Sequence, residues 1–173
     1  MHSWVFKKFD DLSPHELYAI LQLRNEVFAI EQNCVYSDLD NKDQPSYHLM
    51  GWSKGLSRGV SEGILCDLAD LSEQDDKADS YRLAAYARII PPAVIYPEPS
   101  IGRVVTSPAA RGNNIGKELM EQSINKVYKL YGKTPIRIGA QLYLLKFYTG
   151  LGFHKTSAVY LEDGIEHIEM VKP

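Results

Sequence analysis

The segment Arg111-Gly112-Asn113-Asn114-Ile115-Gly116-Lys117 follows the apolar run Val104-Val105-Thr106 and opens a strongly periodic stretch. Its residue types suit the binding of an anion. The first amides of a helix have no internal partners, and the helix dipole places partial positive charge there. Gly112 and Gly116 keep side chains out of the way, Asn114 tolerates left-handed backbone, and Arg111 adds a full charge. The matching ligand is a phosphate or pyrophosphate. The plainer alternative is that the glycines only permit a tight strand-to-helix turn. The segment is not a nucleotide P-loop, because Gly116-Lys117 is followed by Glu118 instead of Ser or Thr, and it lacks the three-glycine dinucleotide spacing.

These residues need a scaffold. Ser3–Phe9 reads as a strand, and Ser13-Pro14-His15-Glu16 as a helix start with a capping box and proline at the first helical position. That helix is expected to run to about Glu31, with Leu17, Ile20, Leu21, Leu23, Val27, Phe28 and Ile30 as its apolar stripe. Arg24 and Glu31 sit seven apart, in phase with Leu17, and a charge on such a stripe must be paired or line a cavity. Residues 32–46 read as loop, Tyr47–Trp52 as a strand, and 53–80 as a long excursion before the strand Arg82–Ile90. Next come the strand Ile101–Thr106, a helix from about Asn114 to Tyr131 and the strand Pro135–Ala140. A helix over Leu142–Leu151 is capped by Gly152, and Ala158–Leu161 pairs with Ile165–Met170 through an Asp163-Gly164 hairpin turn. The order is that of a mixed α/β domain, one domain over residues 1–173.

Composition narrows the function classes. The chain has 173 residues, 45% hydrophobic and 24% charged, which is ordinary for a globular core. With 19 Lys+Arg against 22 Asp+Glu the net charge is −3, which gives no basic footprint for nucleic acid or an anionic membrane. No apolar run approaches the ~20 residues of a membrane span, and the N-terminal residues lack a signal-peptide core. The two cysteines, Cys34 and Cys66, make no metal-ligand spacing, so no metal is expected and a reduced, cytoplasmic protein is the default.

The loop resembles the signature of the GNAT superfamily of N-acetyltransferases, Arg/Gln-x-x-Gly-x-Gly/Ala, with Asn114 in place of the middle glycine. A second mark of that family, Tyr-x-x-x-Gly-Phe, is matched one strand and one helix later by Tyr148-Thr149-Gly150-Leu151-Gly152-Phe153. The likeness extends to the ElaA-like branch through Leu23–Phe28 with Glu31-Gln32, Tyr36–Asp40, His48–Trp52, Tyr86–Ile89, Ile101–Val104, Gly139–Gln141 and Glu162–Ile168. The 53–80 excursion is longer than that branch leads one to expect.

The resemblance implies a GNAT-like fold of mixed α/β class: a mostly antiparallel sheet splayed between two central strands, Ile101–Thr106 and Ile136–Gln141, with helices on both faces. It implies acetyl-CoA as cosubstrate. The diphosphate would sit on the amides of Gly112, Asn113, Asn114, Ile115, Gly116 and Lys117 beside Arg111. The pantetheine arm would run along Val104, Val105 and Thr106, with Gln141 across the opening, and an N–H near Val104 would polarise the thioester. Tyr148 would serve the leaving thiolate, or else pack on the sheet. An amine acceptor, small molecule or peptide, needs a base: Glu31 is the first candidate, His167 the second and His48 the third. Arg24, Arg88 and Arg103 would either bind an acceptor carboxylate or satisfy Glu31 and Asp40 in a buried cluster. Cys34 has no local support as a nucleophile. The rival function is a CoA-binding regulatory module without turnover, and a homodimer is an open alternative.

Overall fold

The computed structural model describes residues 2–34, 36–54 and 81–173. The excursion expected over 53–80 lies outside them from residue 55 on, while Ser53 and Lys54 still belong to a strand. Among the described residues eight strands form one sheet: β1 (His2–Lys8), β2 (Tyr47–Lys54), β3 (Tyr81–Ile90), β4 (Ser100–Thr106), β5 (Ile136–Gln141), β6 (His154–Lys155), β7 (Tyr160–Glu162) and β8 (Ile165–Lys172). Their order is β1-β2-β3-β4-β5-β8-β6, with β7 added to β8. Every pairing is antiparallel except β4 with β5, which is parallel.

That exception shapes the molecule. β4 and β5 pair at a single position, Ser100 with Arg137, and then part. A second irregularity lies just beyond: Tyr86 faces Val105 but Arg88 faces Gly102, so β4 carries one residue more than β3 over this stretch. Such a bulge bends a strand and leaves its ladder groups free. Arg103 sits in it at φ +50°, in the left-handed region, and neither Arg103 nor Val104 has a partner in the β3 register.

Helices cover both faces. α1 (Pro14–Arg24) starts at the capping box expected from the sequence: Ser13 Oγ accepts from the Glu16 N–H, and Glu16 accepts from the Ser13 N–H. The helix continues to Glu31, but over Asn25–Glu31 it widens to a π-helix, closed by the Gln32 N–H on the Val27 carbonyl at 3.0 Å. Ile20, Leu23 and Val27 pack on Met50, Trp52, Leu83, Tyr86 and Val105. α2 (Ile115–Tyr131) packs on the other face, where Ile115, Leu119, Met120, Ile124 and Val127 meet Leu49, Ala85, Ala87 and Ile89. Buried on both faces, β3 reads as the continuous apolar run seen in the sequence. The last helix is shorter than expected, a 3₁₀ turn over Leu142–Leu144 followed by α3 (Leu145–Gly150), and β6 is a two-residue strand that the sequence did not announce.

Candidate active site

Where β4 and β5 separate, a cavity of about 420 Å³ opens. Its β4 wall is Ile101 to Thr106, its β5 wall is Gly139 and Gln141, and Tyr143, Leu144, Phe147 and Tyr148 close one end. Val27, Phe28, Glu31 and Gln32 from the π-helical end of α1 form a third side, and Glu162, Ile165 and His167 from the β7–β8 hairpin a fourth.

α2 begins at this cavity, and its N-terminus is bare. Asn114 takes φ +59° and its side chain makes no capping bond, in contrast to the fully boxed start of α1. The first intrahelical bond runs from the Glu118 N–H to the Asn114 carbonyl, so the amides of Ile115, Gly116 and Lys117 precede the ladder. Gly112 needs to be glycine for its φ of +87°, but Gly116 does not need to be one for the fold. A Cβ at Gly116 would meet only Thr106 Cγ2, at 3.9 Å, an ordinary contact. The room it leaves belongs to the cavity, which Gly116 lines. Of the residues expected at the anion site, Arg111 and Gly116 also lie on the cavity wall with Val104, Val105, Thr106 and Gln141. The Ile115 side chain is in the core, so only its amide is left to offer, and the Lys117 ammonium lies 3.8 Å from Glu121 on the helix surface.

The acid–base candidates fare differently. Glu31 lines the cavity, but both its oxygens are held by Arg111, at 2.7 and 2.9 Å, and Arg111 also donates to the Thr106 carbonyl. Two residues assigned separate tasks from the sequence are thus each other's partner. His167 lines the cavity too, opposite Gln141 on β5. Its Nδ1 lies 2.9 Å from the Ile165 carbonyl, which can only accept, so Nδ1 carries the proton and the neutral ring keeps its lone pair on Nε2. His48 is fully buried and off the cavity. Nε2 donates to the Asp43 carbonyl, Nδ1 accepts from the Tyr86 hydroxyl, and burial holds its pKa below the ordinary histidine value. No lone pair remains on it. Tyr148 is 6% exposed, lines the cavity, and its hydroxyl has no hydrogen-bond partner among the described residues. Burial pushes its pKa far up, so it stays protonated.

Among the described residues the three arginines form an ionic cluster with three aspartates, and Lys42 reaches Asp40 from its edge at 3.6 Å. Arg24 binds Asp38 at 2.7 Å and Asp43 at 2.8 Å, Arg88 binds Asp40 and Asp43, and Arg103 binds Asp38 at 2.7 Å and Asp40 at 3.3 Å. Burial alone would raise the Asp40 carboxyl, but Arg88 and Arg103 hold it well below the usual range. Glu31 is not in this cluster, and its place is taken by Asp38 and Asp43. Those two aspartates were missed from the sequence, although the run Asp38, Asp40, Asp43 opposite three arginines on apolar elements was a readable charge match. Tyr36, under the Arg103 guanidinium at 5.7 Å, Gln32 on Gln141 at 3.2 Å, and Glu162 also reach the site without having been singled out. Cys34 lines the cavity with its thiol donated to the Asp163 carbonyl. No cluster fit to hold a metal occurs among the described residues.

A sheet opened between a parallel pair, with an uncapped helix start at the opening, defines the acyl-CoA N-acyltransferase fold. The profile of the family described as Acetyltransferase (GNAT) domain matches residues 70–173, and the chain belongs to that family. It is similar over nearly its whole length to curated relatives. One is a UPF0039 protein of Synechocystis, 36% identical over 98% of this chain and 94% of the relative, and another is protein ElaA of Escherichia coli, 34% identical over 99% and 97%. Among solved structures, an acyl-CoA N-acyltransferase from Pseudomonas aeruginosa superposes with TM-score 0.81 at 35% identity, covering 100% of both chains. An aminoglycoside 6'-N-acetyltransferase complexed with coenzyme A shares the fold at TM-score 0.59 and 16% identity, over 97% and 96% of the chains.

Proposed function

We propose that the chain transfers an acetyl group from acetyl-CoA to a primary amine by direct attack, with both substrates bound together. The observation that carries this reading is the bare start of α2 beside the cavity, where Gly116 leaves room that packing does not use. The amides of Ile115, Gly116 and Lys117 would hold the diphosphate, with Arg111 turning from Glu31 toward it. The free backbone of the β4 bulge would polarise the thioester carbonyl; one such donor is worth about 2.7–4 kcal/mol in other enzymes.

His167, through Nε2, is the better placed base, because Nδ1 donates to the Ile165 carbonyl and leaves the Nε2 lone pair free on the cavity wall. It takes a proton from the ammonium form, the neutral nitrogen bonds to the carbonyl carbon, the C–S bond breaks, and the nitrogen gives up its second proton to water. Tyr148 protonates the departing thiolate and is recharged from solvent, so amide and free CoA thiol are the products. A CoA thiolate is only moderately basic, by analogy with cysteine at about 8.5, so the help Tyr148 gives is modest. Release of thiol from acetyl-CoA in the presence of amines tests the reading. Calorimetry with CoA tests its first half, and no heat at millimolar ligand would overturn it.

A further inference from the structure

The β7–β8 hairpin carries a polar row that neither the diphosphate nor the thioester uses. Tyr160 pairs with His167 and Glu162 with Ile165 across the hairpin, and cross-strand partners share a face. His167 and Ile165 line the cavity, as does Glu162, while Leu161 between them points to solvent at 72% exposure. Tyr160 stacks on His167 at 5.9 Å and lies close enough to β5 that a Cβ on Gly139 would come within 3.1 Å of its hydroxyl. Burial, then Tyr96 and Glu162, push Tyr160 up to about 12, so its hydroxyl keeps its proton near neutral pH.

The charges around this row are uneven. Arg103 is answered by Asp38 and Asp40, and Arg111 by Glu31; Arg24 and Arg88, behind them, are answered by Asp38, Asp40 and Asp43. A carboxylate on an acceptor would find every one of these guanidiniums taken. Glu162 has no Lys or Arg partner among the described residues. It is the diagonal neighbour of His167, and diagonal positions on a hairpin lie about 7–8 Å apart, a gap that a short alkyl chain spans.

We infer that Glu162 is a specificity-determining residue of the acceptor end, selecting a small amine that carries a second positive charge and no carboxylate, such as an aliphatic diamine. The inference rests on the acyl-transfer reading above. One amino group lies at His167 as the nucleophile and the other stays protonated on Glu162. The test is a matched series at equal chain length: 1,4-diaminobutane, butylamine and 4-aminobutyrate, each with the full chain and acetyl-CoA, following thiol release. The expected order of kcat/KM is diamine, monoamine, amino acid, with the diamine about fivefold above the monoamine. Glu162→Gln should bring the diamine-to-monoamine ratio to within about twofold of one, through KM for the diamine. An unchanged ratio in Glu162→Gln, or a wild-type preference for 4-aminobutyrate, would overturn the inference while leaving acyl transfer standing. No thiol release with any of the three amines would overturn the acyl-transfer reading, and this inference with it.

Discussion

At the scale of single residues the cleft separates binding from chemistry. Tyr148, buried and with no hydrogen-bond partner for its hydroxyl among the described residues, should affect turnover more than affinity. Tyr148→Phe is expected to lower kcat about 10- to 100-fold with CoA affinity within twofold of wild type, read by steady-state kinetics beside calorimetry; loss of CoA binding would make it a packing residue. Glu31 works the other way. While it holds Arg111 it competes with any diphosphate, so Glu31→Gln should raise CoA affinity, by up to about fivefold given that exposed ion pairs are worth at most about 1 kcal/mol. The residue types at this scale were legible: an arginine and two glycines at a helix start, a tyrosine in a motif, a histidine on a strand. The pairing was not, because Glu31 and Arg111 are 80 residues apart, and the sequence offered Glu31 either a base's task or a partner among Arg24, Arg88 and Arg103.

Elements were legible where local chemistry decides them. Ser13 and Glu16 announced the start of α1, and Asp163-Gly164 announced a hairpin turn whose residues take φ +50° and +80°. Elements decided by distant contacts were hidden: the π-helical widening of Asn25–Glu31, the short β6, and the bulge at Arg103, where a non-glycine residue at φ +50° is held by Asp38 and Asp40 across the fold. The start of α2 offers the sharpest test here. Since a Cβ at Gly116 meets nothing closer than 3.9 Å, Gly116→Val should fold with a Tm near wild type yet lose CoA affinity about tenfold or more, seen by melting and calorimetry on the same sample. A large fall in Tm would show that the glycine serves the fold after all.

Across the whole molecule, the Arg–Asp cluster ties the 36–46 loop to α1, β3 and β4. Arg24, with a fully buried side chain, cannot be removed without leaving Asp38 to Arg103 alone and Asp43 to Arg88 alone, so Arg24→Ala should cost about 3 kcal/mol by chemical denaturation. The same region makes stability depend on pH. His48 is held below its unfolded value of about 6.5, so on acidification the unfolded chain takes up a proton that the folded one refuses, and stability falls below that pH. Asp40 and Asp43 are depressed too, which adds a second fall below about pH 4 as the unfolded carboxylates protonate first. Melting between pH 7 and 5 should show the first effect, with a flatter slope in His48→Gln. The single rung between Ser100 and Arg137 has a mechanical consequence. The strands on either side of it form two half-sheets laced together by almost no backbone bonds and joined through one apolar cluster to which Leu49, Ala87 and Ile101 contribute from one side and Ile136, Ile138 and Met170 from the other. A guest that lies in the gap as an extra strand would stitch this seam, so amide hydrogen exchange in β4 and β5 should slow on adding CoA more than in β1 and β2, and the substrate becomes part of the scaffold for as long as it stays.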